Sequence, residues 1–102
     1  MVVEWIEWKN SELETVSVQK IESDIMNQVR DWLARITPRQ PPRNEIGSVR
    51  PNITVTFYCF KDHERKTIAE IFEVYRFKDS KSTVELLSES EIKELKRIVE
   101  KQ

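Results

Sequence analysis

The stretch Asn52-Ile-Thr-Val-Thr-Phe-Tyr-Cys-Phe60 contains the clearest β-strand pattern in this chain of 102 residues. Successive side chains of a strand point to opposite faces of the sheet. One face of this strand is wholly apolar and carries Ile53, Val55, Phe57 and Cys59. The other face has two threonines followed by two aromatic residues, Thr54, Thr56, Tyr58 and Phe60. The apolar face should therefore meet a core helix, and the second face should be at least partly covered.

Downstream of this strand, a charged turn at 61–66 leads into the ambiguous stretch 67–77. Four of its apolar residues fit a helical stripe, but β-branched and aromatic residues dominate and the preceding strand needs a partner, so we predict a strand. A turn at 79–82 and a third strand at 83–87 would complete a meander. Ser88 followed three residues later by Glu91 predicts a capped final helix.

Upstream, the β-branched and aromatic residues of 2–8 predict a strand, and 13–16 is a candidate second strand that would form a hairpin with it. Ser17 is a plausible N-cap for a helix over about 18–36. That helix would end before Pro38, because a proline disfavours helical geometry at the preceding residue. Its predicted apolar stripe consists of Val18, Ile21, Ile25, Val29, Trp32, Leu33 and Ile36.

These elements predict a single α+β domain over residues 1–102. Its antiparallel sheet would comprise a three-strand C-terminal meander plus an N-terminal strand or hairpin, and two helices would pack on one face. Residues 37–51 form a connector that holds all four prolines and the one glycine. Loops of this length are usually functional or disordered.

Composition narrows the class of protein. The chain is 38% hydrophobic and 34% charged, and its net charge is −1. A net charge this close to zero argues against an overall electrostatic attraction to nucleic acid or to a membrane surface. The sequence begins without a signal-peptide pattern and has no apolar run of about 20 residues to span a bilayer. Cytoplasmic residence without membrane association is the resulting expectation.

Catalytic and metal chemistry have little support in the sequence. Structural zinc needs about four Cys or His ligands, whereas this chain has one of each, Cys59 and His63. Because Cys59 lies on the apolar face of its strand, a packing role is favoured over a nucleophilic one. A phosphate-binding loop needs several glycines, and this chain has one. We therefore expect no metal, no cofactor and no enzymatic activity.

Arginines in and beside the connector are the main candidates for binding. Residues 1–34 have three basic and seven acidic residues, whereas 35–50 have four arginines and one glutamate, Arg35, Arg39, Arg43 and Arg50 with Glu45. These arginines could pair with acids of 1–34, recognise an acidic protein partner, or contact nucleic acid together with stacking by Tyr58 and Phe60. Pairing within the chain is the favoured alternative.

Trp5 and Trp8 lie three residues apart in a predicted strand, so they should point to opposite faces. Burial of both is favoured, and an exposed tryptophan as an interface anchor is the alternative. An N-terminal edge strand could also support a homodimer, or its charges could prevent pairing. Size, charge and missing catalytic motifs together predict a regulatory or inhibitory interaction module of bacterial or phage accessory type, with nucleic-acid binding as the alternative.

Overall fold

The computed structural model describes residues 3–39, 51–61, 63–73 and 87–100. Within these ranges the chain forms four β-strands, two α-helices and one short 3-10 helix. The strands and α-helices, in chain order, are β1 (Trp5–Lys9), β2 (Thr15–Lys20), α1 (Met26–Ile36), β3 (Ile53–Lys61), β4 (Glu64–Glu73) and α2 (Glu89–Glu100). The predicted α+β class is confirmed.

The four strands form one antiparallel sheet in the order β2-β1-β3-β4. The predicted strand β3 is an interior strand, and β1 pairs with both β2 and β3. Across β1 and β3, Ile6 lies opposite Phe57 and Trp8 lies opposite Val55. These four buried side chains form a continuous apolar surface, which we call the helix face.

Both helices pack on the helix face and share one core with it. Trp32 of α1 is fully buried, and its ring centroid lies 6.0 Å from that of Phe57. Its indole nitrogen donates a hydrogen bond of 3.1 Å to the backbone oxygen of Glu91 in α2. One side chain therefore links the sheet to both helices.

The predicted hairpin forms, but its second strand, β2, covers 15–20 rather than 13–16 and includes residues 18–20, which we assigned to the start of the long helix. The helix begins at Met26 rather than near residue 18, and Ser17 is not its N-cap. Val18, predicted to lie in the core, is 44% exposed. Residues 15–20 alternate β-branched and polar side chains, and pairing with β1 satisfies backbone groups that β1 would otherwise leave exposed at an edge. The remaining six residues of the predicted stripe are buried, Ile21, Ile25, Val29, Trp32, Leu33 and Ile36.

Other predicted elements have clear outcomes where the structure describes them. Strand β4 is confirmed over 67–73, and it begins earlier than predicted, at Glu64. The predicted third meander strand lies mostly outside the described residues, and its last residue, Leu87, is buried but not in a strand. The capping box of α2 is confirmed: Ser88 Oγ accepts from Glu91 N at 3.2 Å, and Glu91 Oε1 accepts from Ser88 N at 3.0 Å.

The start of the connector also follows the prediction. Helix α1 ends at Ile36, and Thr37–Arg39 continue as a 3-10 helix that contains Pro38. Residues 40–50 lie outside the described part of the chain. In the ranges that are described, no helix is long and apolar enough to cross a membrane.

The turn between β1 and β2 holds a leucine in an unfavourable backbone conformation. Asn10 organises this turn: its side-chain oxygen accepts from the backbone nitrogens of Glu12 at 2.9 Å and Glu14 at 3.0 Å. Leu13 has φ of 62° and is 50% exposed. The left-handed region costs a residue with a Cβ about 1–2 kcal/mol. Leucine at this position is therefore unfavourable for folding.

We expect Leu13→Gly to raise the free energy of unfolding by up to about 1 kcal/mol, because glycine adopts positive φ without the Cβ penalty although it loses more entropy on folding. Urea denaturation followed by tryptophan fluorescence measures the change. Val16→Gly also removes an exposed aliphatic side chain, but from a strand, and should lower the stability. If both variants lowered the free energy of unfolding by a similar amount, that result would contradict the assignment of strain to Leu13.

Candidate functional site in the edge strand and the outer sheet face

The sheet surface opposite the helix face, which we call the outer face, is organised around one carboxylate. Glu7 of β1 lies opposite Val18 of β2 and Thr56 of β3, and its side chain is 10% exposed. Alternation along β1 places Trp5 on the same face. Thr56 is also buried, as is the neighbouring Thr54. The expectation that this face is partly covered is confirmed.

Four groups, one from each strand of the sheet, compensate the buried charge of Glu7. Tyr58 Oη donates to Glu7 Oε1 at 2.7 Å, and Thr15 Oγ1 donates to Glu7 Oε2 at 2.9 Å. Lys9 Nζ and Arg65 Nη2 lie 3.6 and 3.7 Å from the same carboxylate. Burying a carboxylate is costly unless it is paired and hydrogen-bonded, and here it is both. We call these five residues the Glu7 cluster.

The Glu7 cluster shifts two pKa values in opposite directions. Burial alone would raise the pKa of Glu7, but hydrogen bonds from Tyr58 and Thr15, together with the charges of Lys9 and Arg65, outweigh it and hold the pKa below its ordinary value. Burial and the hydrogen bond to the Glu7 carboxylate raise the pKa of Tyr58. At neutral pH Glu7 is therefore a carboxylate and Tyr58 a neutral hydrogen-bond donor.

The aromatic candidates lie at one end of the outer face. Trp5 is half-buried and contacts Phe60 edge to face, with ring centroids 6.1 Å apart. Phe60 is 42% exposed. The Tyr58 ring is stacked by the Arg65 guanidinium, whose central carbon lies 3.7 Å from the ring centroid. The structure thus brings Trp5, Tyr58 and Phe60 together, but one side of the Tyr58 ring is already occupied.

Trp8 has a different environment from Trp5. It lies on the helix face, 7% exposed, and Lys96 Nζ of α2 lies 5.6 Å from its ring centroid. The prediction that the two tryptophans point to opposite faces is confirmed. The favoured expectation that both are buried holds for Trp8, whereas Trp5 retains some exposure.

Strand β2 lies at one edge of the sheet and exposes large hydrophobic side chains. Among the described residues, three of the four exposed large hydrophobic side chains lie in or just before it: Leu13 at 50%, Val16 at 68% and Val18 at 44%. The fourth is Phe60. Ending the candidate strand at residue 16 and beginning the helix near residue 18 divided this cluster, although the alternation in Thr15-Val-Ser-Val-Gln was a signal that could have extended the strand.

The hydrogen-bonding pattern shows which backbone groups of β2 face away from the sheet. Ile21 N donates to Glu4 O at 2.8 Å, so residue 21 is paired toward β1. Antiparallel pairs alternate between hydrogen-bonded and non-hydrogen-bonded, and Val18 opposite Glu7 is a non-hydrogen-bonded pair. The backbone N–H and C=O of Val18 therefore point outward from the sheet edge. Val16 is the extra residue where the register shifts between Trp8 and Lys9.

The arginine candidates are only partly described. Arg35 Nη2 donates to Glu94 Oε1 of α2 at 2.5 Å, and this hydrogen bond raises the pKa of Arg35. Its ion-pair partner is thus in the last helix, not among the acids of 1–34 that we expected. Arg39 lies in the 3-10 helix, with no side chain described, and Arg43 and Arg50 lie outside the described residues.

Cys59 and His63 were the remaining candidates for chemistry. Cys59 is a free, half-buried thiol, and His63 lies exposed in the β3–β4 turn with φ of 64°. Cys59 was predicted to lie in the core, and its side chain is only partly buried. Across 3–39, 51–61, 63–73 and 87–100, no three His, Cys, Asp or Glu side chains group closely enough to hold a metal ion.

Comparison with known proteins adds no relative: the chain matches no protein-family model, no curated protein and no solved structure.

The lowered pKa of Glu7 predicts a pH-dependent effect of Glu7→Gln. At pH 7 the substitution should cost about 1–3 kcal/mol of unfolding free energy, as expected for losing hydrogen bonds to a charged group. A carboxyl whose pKa is lower in the folded state stabilises the protein above its ordinary value of about 4.5 and loses that contribution as the pH falls through the folded value.

The difference between wild type and Glu7→Gln should therefore shrink below about pH 4. Urea unfolding at several pH values measures it. Glu12→Gln, in the exposed β1–β2 turn, removes the same charge and should stay close to wild type throughout. A difference for Glu7→Gln that does not change with pH would contradict the assignment.

Proposed function

We propose that this protein is a non-enzymatic interaction module that binds an extended segment of a partner protein along the outer edge of β2. The observation that carries the proposal is the cluster of exposed aliphatic side chains, Leu13, Val16 and Val18, at an edge whose backbone groups at Val18 point outward. An added strand would pair with those groups, and the aliphatic side chains would be buried against it.

The composition of this edge supports a role in recognition. Edge strands are commonly protected by lysines, prolines and inward-pointing charges. The centre of β2, Val16-Ser-Val18, has none of these, and its two valines are exposed. The bulge at Val16 and the flanking Glu14 and Lys20 restrict how a second strand can align, which favours specific over indiscriminate pairing.

The backbone conformation of the turn before β2 also supports a binding role for this edge. Leu13 adopts positive φ, at which glycine or asparagine would sit with less strain, and half of its surface is exposed. Strain of this kind clusters at sites where it serves function. In this proposal Leu13 contacts the partner, and burial of its side chain on binding offsets the cost of its backbone conformation.

A regulatory or inhibitory role suits a module without a reactive site in its described part. The single cysteine is compatible with a reducing compartment, and the proposal places the module in the cytoplasm. The proposal also includes an acidic surface on the partner, which the arginines of the basic connector, among them Arg43 and Arg50, would contact.

Nucleic-acid binding has weaker support. Trp5 and Phe60 offer partly exposed aromatic surface, but the ammonium of Lys9 on the same face is paired with the Glu7 carboxylate. Arg65 is already engaged with Glu7 and with the Tyr58 ring. Binding to this face would require these contacts to be exchanged.

The proposal predicts that Val18→Pro abolishes partner capture. Proline removes the outward N–H of Val18, which has no role in the β1–β2 ladder, so the fold should survive as prolines do at edge positions. A pull-down from native lysate after nuclease treatment, with wild type and Val18→Pro in parallel, measures the effect. A stoichiometric protein should be retained by wild type and lost by the variant.

Phe60→Ala is the matched control, because it removes the exposed hydrophobic residue of the outer face and should leave capture unchanged. Circular dichroism checks that each variant is folded. Capture that survives Val18→Pro, that is lost in Phe60→Ala, or that disappears with nuclease would overturn the proposal. Light scattering of the purified protein shows whether the partner is a second copy of the chain.

A further inference from the structure

A groove of about 470 Å³ opens beside the β2 edge on the helix face. Ser17 and Gln19 of β2 form one side, and Lys96 and Glu100 of α2 form the other. Between them, Trp8 is part of the lining. The groove thus runs between the edge strand and the C-terminal half of the last helix.

This position relates the groove directly to strand addition at β2. Ser17 lies opposite Trp8 and Gln19 opposite Ile6, so both β2 side chains are on the helix face. A segment paired with β2 would direct every second side chain to that same face. Those side chains would enter the groove next to Trp8 and Ile53, whose surfaces are apolar. An aliphatic or aromatic side chain of the partner is therefore favoured there.

The ammonium of Lys96 favours an acidic group on the partner. Lys96 is exposed and extends over the Trp8 ring, with its ammonium 5.6 Å from the ring centroid. It forms no ion pair with a carboxylate of the described residues. Lys9 also contributes to the lining, but its ammonium lies 3.6 Å from Glu7 on the outer face, and Glu100 is the one acidic residue of the lining. A carboxylate arriving beside Trp8 would meet the ammonium of Lys96 with the aromatic ring beneath it.

We propose that the partner segment is an extended acidic peptide, which pairs with β2, buries an aliphatic or aromatic side chain against Trp8 and places a carboxylate at Lys96. This inference rests on the proposed function, since it specifies what binds at the same edge. It adds a recognition element, because backbone pairing with β2 gives affinity with little sequence preference whereas the groove selects among partners.

The test selects displayed random peptides of about eight residues, long enough for one strand, on the folded full-length chain. Wild type should enrich peptides with an acidic residue at a fixed spacing from an aliphatic or aromatic one. Lys96→Glu should weaken the best of these peptides by about tenfold and should itself enrich basic residues at the acidic position. Arg97→Glu makes the same charge change one residue along α2, outside the groove, and should alter affinity less than threefold.

The outcomes separate the inference from the function on which it rests. If enriched peptides lose binding in Val18→Pro but show no acidic preference, or if Lys96→Glu and Arg97→Glu behave alike, the edge binds partners and the inference is wrong. If the wild type enriches no peptide, or Val18→Pro has no effect, both fail. If Val18→Pro instead dissociates a homodimer and no peptide is enriched, the occupant is a second copy and the acidic-peptide assignment is overturned.

Discussion

The burial of Trp32 positions the layers of this protein. Its ring packs on Phe57 of the sheet, and its indole N–H donates to the backbone oxygen of Glu91, so α1, the sheet and the start of α2 are joined at one point. The Ser88–Glu91 capping box fixes where α2 begins. Because a helix is rigid over its length, this anchoring also places Lys96 over Trp8 about one turn and a half further along.

The two faces of the sheet use different physical chemistry. The helix face is held by apolar burial and contributes most of the core. The outer face is organised by a buried carboxylate whose charge is compensated by hydrogen bonds and nearby cations from all four strands. Each arrangement fixes β1 and β3 relative to each other, while β2 receives support mainly from β1. Its own side chains are largely exposed, which leaves it suited to pairing with another strand.

Local sequence patterns predicted those elements whose residues have one clear environment. The alternation in β3, the apolar stripe over 26–36 and the Ser88–Glu91 signal each identified the right structure. Residues 18–20 were assigned to the wrong element because Val18 continues the spacing of the stripe that follows, so a 3.6-residue period extends into a strand. The sequence also did not predict the candidate site. Val16, Val18 and Lys96 belong to it because of their positions at the sheet edge and the groove, which no local pattern describes.

The sequence by itself determined the α+β class, the antiparallel pairing of β3 with β4, the end of α1 before Pro38 and the opposite faces of Trp5 and Trp8. These depend on side-chain period and backbone restrictions that act within a few residues. Only the tertiary structure decided that 15–20 is an edge strand, that Arg35 pairs with Glu94, and that Glu7 is buried among Tyr58, Thr15, Lys9 and Arg65. Those outcomes depend on which distant segments meet, because the free energy of pairing and of burying a charge is set by the neighbours that the fold supplies.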